Sequence, residues 1–104
     1  MDNGEYSVII SKKAKDMLVS NAAFLAKVSV PAAEKLTDDF FETALSLQVM
    51  PNRCPWFNGM YIPKHQYRCI TFDERYMLIY QVVGKTVYID YCIDCRQDYE
   101  WLLK

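Results

Sequence analysis

His65, Arg68 and Arg96 are the side chains whose types suit chemistry on a phosphate ester. His65 is the single histidine, so an imidazole acid must come from it. Its ordinary pKa near neutrality fits proton donation in RNA cleavage. Arg68 and Arg96 carry guanidinium forks that can clamp a phosphate or stabilise charge developing on it. Their ordinary alternatives are a solvated loop histidine and arginines paired with Asp90, Asp94 or Asp98. Arg75 falls in a turn, where solvation is expected.

The four cysteines, Cys54, Cys69, Cys92 and Cys95, are a second candidate set, since four thiolates can hold zinc. Cys54 and Cys69 are far apart in the chain, however. Cys92-Ile93-Asp94-Cys95 is a C-x-x-C pair at a strand end, not on a knuckle turn or at a helix start. The expectation is unpaired structural thiols, with no metal and no cofactor. Gly84-Lys85 reads as a hairpin turn and not a phosphate loop, and no nucleophile elbow, H-E-x-x-H or Walker pattern occurs.

The block from Tyr67 to Leu103 must position these groups. It reads as three strands, YRCITFDE, RYMLIYQVV and TVYIDYCID, followed by the tail RQDYEWLL. The turns are too short for crossover helices, so the strands form an antiparallel meander. Alternation in the last strand puts Val87, Ile89, Tyr91 and Ile93 on one face and Tyr88, Asp90, Cys92 and Asp94 on the other. The first set is expected to face the helices. The second, joined by Arg68, Ile70 and Phe72 or else by Met77 and Ile79, mixes charge with large apolar groups, as a binding surface does. Arg68 and Arg96 would approach one cleft there.

Upstream, Tyr6 to Ile10 is a β-branched first strand, and Ser11 can cap the helix after it. From Lys12 to about Val28, residues Ala14, Met17, Leu18, Leu25 and Val28 recur at helical spacing. Pro31 opens a second helix running to about Val49, with Ala33, Leu36, Phe40, Ala44 and Leu47 as its buried stripe. So short a break makes an antiparallel hairpin, the natural cover for one sheet face. Pro51 to Lys64 reads as a loop whose aromatics, Trp56 and Phe57 among them, pack. The expected class is α+β: a helical hairpin on a twisted, four-stranded, mainly antiparallel sheet, ordered β-α-α-β-β-β with a short C-terminal helix or tail.

At 104 residues, 52% hydrophobic and 24% charged, the chain is one domain, residues 1–104, able to bury a core without disulfides. A formal charge of −1 lacks the basic excess usual in nucleic-acid-binding domains. No apolar run approaches the roughly 18 residues of a membrane span, and no signal-peptide pattern occurs. A cytoplasmic location without membrane contact is expected.

Several pieces resemble the toxins of the RelE/ParE superfamily, the toxic halves of bacterial type II toxin–antitoxin pairs. They are the opening YSVIISKKAK, AAEKL early in the second helix, Y-R-x5-E-R-Y-x-L-I-Y-Q-V from Tyr67, T-V-Y-I-D-Y, and the closing D-C-R-Q-D-Y-E-W-L-L. The resemblance implies the first strand in the middle of the sheet, and a cognate antitoxin whose flexible segment masks the active surface. It also implies one of two activities. One branch cleaves mRNA on the ribosome without a metal, and the other inhibits DNA gyrase without any reaction of its own. For the nuclease branch, the resemblance assigns Arg68 to the first basic position and Arg96 to the tail arginine. Tyr99 stands as a displaced substitute for the terminal tyrosine. Ile70 and Met77 occupy positions where that branch carries lysine and arginine. Cleavage ranks narrowly ahead of gyrase inhibition, with a decayed toxin kept for antitoxin binding third. A homodimer and a toxin–antitoxin hetero-oligomer are both open.

Overall fold

Two serines set the helix starts. The Ser11 hydroxyl accepts from the Ala14 amide at 3.0 Å, and Ser29 accepts from Ala32 at 3.2 Å. Each such cap contributes about 1 kcal/mol. In the computed structural model, which describes residues 5–57 and 65–95, they open α1 (Lys12–Ala26) and α2 (Val30–Ser46). Pro31 lies in the first turn of α2, where its missing N–H costs nothing. The whole expected stripe of α2 is buried, with Leu47 just past its end. The stripe of α1 stops short: Ala14 and Leu18 are buried, but the helix ends at Ala26 and Val28 is 82% exposed.

Among the described residues, five strands follow one another as β1 (Ser7–Ile10), β2 (Trp56–Phe57), β3 (Tyr67–Phe72), β4 (Tyr76–Val83) and β5 (Thr86–Asp94). Their order across the sheet is β1-β5-β4-β3-β2, with β1 parallel to β5 and the other pairs antiparallel. The class is the expected α+β, with two corrections. A fifth strand, β2, arises inside the segment read as a loop. In addition, β1 lies at an edge and not in the middle. Among the described residues its four residues, half of them exposed, pair with Thr86–Ile89 alone. Beyond Ile10 the chain enters α1, which covers the rest of that edge. The Ser11 amide donates to the Ile89 carbonyl at 2.9 Å, its hydroxyl to Asp90 O at 3.3 Å, and Asn21 Nδ2 to Cys92 O at 3.2 Å. An edge that would otherwise present bare carbonyls is closed by one helix.

The faces of β5 need a further correction. Tyr80 pairs with Ile89 but Ile79 pairs with Tyr91, so Asp90 is an extra residue, a β-bulge. One inserted residue flips the alternation beyond it. Val87, Ile89 and Cys92 therefore face the helices together with Leu78 and Tyr80, while Ile93 joins Ile79 and Phe57 in a second cluster flanked by Tyr91. Asp94, opposite Tyr76, turns to the helix side, so Asp90 and Asp94 do not share a face. On β3, Ile70 and Phe72 pack against the helical core, leaving Met77 and Ile79 as the pair that lines the far face. That face is no open surface at its centre, because Phe57, Ile79 and Ile93 are all buried.

Candidate functional site

Trp56 is the hub of the candidate site. It sits on β2 opposite Arg68, which in turn pairs across β4 with Tyr80. The Arg68 guanidinium carbon lies 3.7 Å from the Trp56 ring centroid, and Nη1 donates to the Cys54 carbonyl at 2.6 Å. Tyr80 is fully buried, and its hydroxyl donates to Pro51 O at 2.6 Å. The Cys69 amide donates to Pro55 O at 3.2 Å. Three groups of the sheet thus fasten the Pro51–Phe57 segment. Burial pushes the Tyr80 phenol up first and its contact with Cys54 second, so it stays a protonated donor.

His65, exposed and with φ +61°, places its ring 5.1 Å from that of Trp56. Two of the sequence-derived candidates, His65 and Arg68, therefore converge on one indole. The other two, Arg96 and Tyr99, lie outside the described residues. Among the described residues Arg68 makes no ion pair, and Asp98, one of its expected carboxylate partners, lies outside them. Among the described residues the ion pairs are Lys12–Asp16, Lys35–Asp39 and Lys35–Asp73. Asp90 instead accepts from Gln81 Nε2 at 3.0 Å. Tyr67 is pushed up to about 12, by burial first and then by Asp90.

One fork with one N–H already given to a carbonyl, beside an exposed imidazole, can hold a single anion and offer it a proton. Among the described residues, two strand positions that the resemblance makes basic in the nuclease branch add no charge to it. Ile70 packs into the helical core and Met77 into the far cluster. Sequence reasoning treated Trp56 only as a packing residue. The signal for its role is the C-P-W-F run, which sets an aromatic on a short strand beside the arginine.

Cys54 and Cys92 are buried, Cys69 is half-buried, Cys95 is exposed, and all four are free thiols. Cys92 and Cys95 thus differ in exposure at the two ends of the C-x-x-C. Burial pushes the Cys92 thiol up to about 12, which suits a packed thiol and not a nucleophile. Among the described residues no group of three His, Cys, Asp or Glu side chains could hold a metal ion. None of the described helices is long and apolar enough to cross a membrane.

A helical hairpin on a mainly antiparallel sheet, with the elements in this order along the chain, is the class of fold that the resemblance to RelE/ParE toxins implies. The profile of the family described as "ParE toxin of type II toxin-antitoxin system, parDE" matches residues 8–99, and the chain belongs to that family. Among solved structures, a chain of the "Chromosomal ParDE TA system from P. aeruginosa" is similar at a TM-score of 0.70 and 20% identity. The match covers 88% of this chain and 98% of that one, a likeness of fold. No curated protein sequence matches the chain.

Proposed function

We propose that this type II toxin is neutralised by a cognate antitoxin and inhibits growth by binding a protein target, without cleaving mRNA. The observation that carries this reading is the engagement of Arg68. The cation best placed to bind phosphate among the described residues is stacked on Trp56 and donates to Cys54 O. Ile70 and Met77, where the nuclease branch is basic, are packed among apolar groups. A net charge of −1 also supplies little attraction for an RNA-rich target. The fold shared with a chain of a solved toxin–antitoxin system supports the antitoxin as partner. DNA gyrase, which the resemblance implies for the non-enzymatic branch, is the first target to assay.

One observation favours mRNA cleavage on the ribosome as the second reading: His65 and Arg68 meet on Trp56, a proton donor near an anion-binding fork. Arg96 and Tyr99 would then complete the site. Inducing the chain without antitoxin, with transcript ends mapped and DNA-damage signalling followed in parallel, separates the two. Growth arrest with intact transcripts supports target binding. Breaks at ribosomal A-sites that disappear in His65→Ala and Arg68→Lys overturn it in favour of cleavage. Unimpaired growth overturns both and leaves a decayed toxin.

A further inference from the structure

Asp90 and Tyr91 are neighbours in β5, yet both serve the face of the sheet turned away from the helices. In a regular strand they would point to opposite faces, and the bulge at Asp90 is what brings them together. Tyr91 packs with Tyr67 against the far cluster, their ring centroids 6.3 Å apart and their planes inclined by 57°. Asp90 Oδ2 accepts from Gln81 Nε2 at 3.0 Å, and Tyr67, whose phenol Asp90 helps to raise, is a second neighbour. Both of these neighbours are neutral. Among the described residues no cation pairs with the Asp90 carboxylate, which is half-buried. The ring beside it already draws one. Lys13, exposed and without an ion pair among the described residues, holds Nζ 4.8 Å from the Tyr91 centroid. Ser11 ties that end of α1 to the bulge, its hydroxyl donating to Asp90 O at 3.3 Å.

We propose that this corner of ring and carboxylate receives an arginine side chain of the protein target, which displaces Lys13. The inference rests on the target-binding reading and gives that partner its chemistry. An aromatic face and a carboxylate both attract a cation, so the corner is complementary in charge to a basic side chain. A guanidinium is flat and forked. It can stack on Tyr91 while its N–H groups bond to Asp90, whose carboxylate has acceptor sites beyond the one that Gln81 takes. The Lys13 ammonium makes the ring contact without the carboxylate contact, so an arginine that makes both outcompetes it. The same carboxylate turns away a nucleic-acid occupant, because a phosphate entering here would meet its negative charge at short range.

Titrating the purified full chain with N-acetyl-arginine methylamide tests this, with the tyrosine ring signals followed by NMR and the citrulline counterpart as the uncharged control. Saturable shifts at Tyr67 and Tyr91 are expected with the arginine compound and not with citrulline. Asp90→Asn, which keeps an acceptor for Gln81 but removes the charge, is expected to weaken binding by about tenfold. Lys13→Gln removes the resident competitor from an exposed position and is expected to tighten binding by about two- to fivefold. A merely structural role for Asp90 does not predict that gain, and far-UV circular dichroism confirms that both variants fold. No saturable shift, equal binding of citrulline, or a Lys13→Gln chain that binds no tighter overturns the proposal. An Asp90→Asn chain that loses antitoxin binding by the same factor also overturns it, since the antitoxin is then the occupant. In cells the two readings fail differently. Transcript breaks overturn target binding and this inference with it, whereas arrest with intact transcripts that persists undiminished in Asp90→Asn overturns this inference alone.

Discussion

Replacing Arg68 by alanine is expected to loosen the fold before it affects any chemistry. The guanidinium lies 3.7 Å from the Trp56 ring centroid at a half-buried position, a contact worth about 1 kcal/mol. Its 2.6 Å bond to the Cys54 carbonyl is charge-assisted, and such bonds contribute about 1.5–3 kcal/mol. Allowing for the freedom the side chain regains, the loss is about 2–3 kcal/mol, or a fall in Tm of about 10–15 °C in a domain of this size. Arg68→Lys keeps a charge near the indole but not the fork, and is expected to lose about half as much. Urea denaturation followed by circular dichroism measures these differences. A double-mutant cycle with Trp56→Ala isolates the stacking term, expected at about 1 kcal/mol. If Arg68→Ala unfolds within about 0.5 kcal/mol of the wild type, Arg68 is not a strut. Its guanidinium would then be available for phosphate, and the argument for a non-enzymatic toxin would lose its main support. The same numbers decide how growth assays are read, because loss of toxicity in an unstable variant says nothing about catalysis.

Tyr80→Phe removes the donor to Pro51 O and leaves that carbonyl buried without it, so a loss of about 1–2 kcal/mol is expected in the same denaturation assay. Glu74→Gly is expected to stabilise by about 0.5–1 kcal/mol, measured as a rise in Tm, because Glu74 holds φ +65° next to Asp73 at +50° in the β3–β4 turn. Asp73 is better left unchanged, since its Oδ1 accepts from Lys35 at 2.8 Å. The Cys92 thiol is raised from 9.0 to about 12 by burial, so the folded state retains a proton that the unfolded state releases. Its contribution is therefore complete below about pH 9 and lost as pH rises towards 12. Stability measured across that window is expected to fall less steeply in Cys92→Ala, while in the wild type at neutral pH alkylation is expected to label exposed Cys95 ahead of Cys92.

Most of the helical hairpin was legible because its signals are local. Ser11, Ser29 and Pro31 mark the starts, and the stripe from Ala33 to Leu47 repeats at the helical period over enough residues to be unambiguous. The meander was legible for the same reason, with Gly84 at φ +61° in the turn between its last two strands. Two features were not. β2 is only Trp56–Phe57, too short for any period to register. The bulge at Asp90 leaves no mark in TVYIDYCID, which alternates without interruption; its place is fixed by pairing with β4 and by contacts to Ser11, 79 positions away. For the site, Arg68 was identifiable by type. Its stacking on Trp56 depends on β2 pairing, which no local signal carries.

The bulge also changes the electrostatic case about mechanism. With Asp90 and Asp94 on one face, their combined charge would repel phosphate there. Asp94 is instead buried on the helix side and Asp90 is held by Gln81, so that objection weakens. A geometric one replaces it. Arg68 pairs with Tyr80 and shares the helix side of the sheet, whereas Met77 packs into the cluster on the opposite side. Of the strand positions that the resemblance makes basic in the nuclease branch, 68 and 77 are thus separated by the sheet itself, and an arginine at 77 would not point toward the Arg68–Trp56 cluster. What limits phosphate chemistry here is therefore the direction of the available side chains as much as the number of cations. Only residues approaching the helix-side edge near Trp56 could complete a site around Arg68.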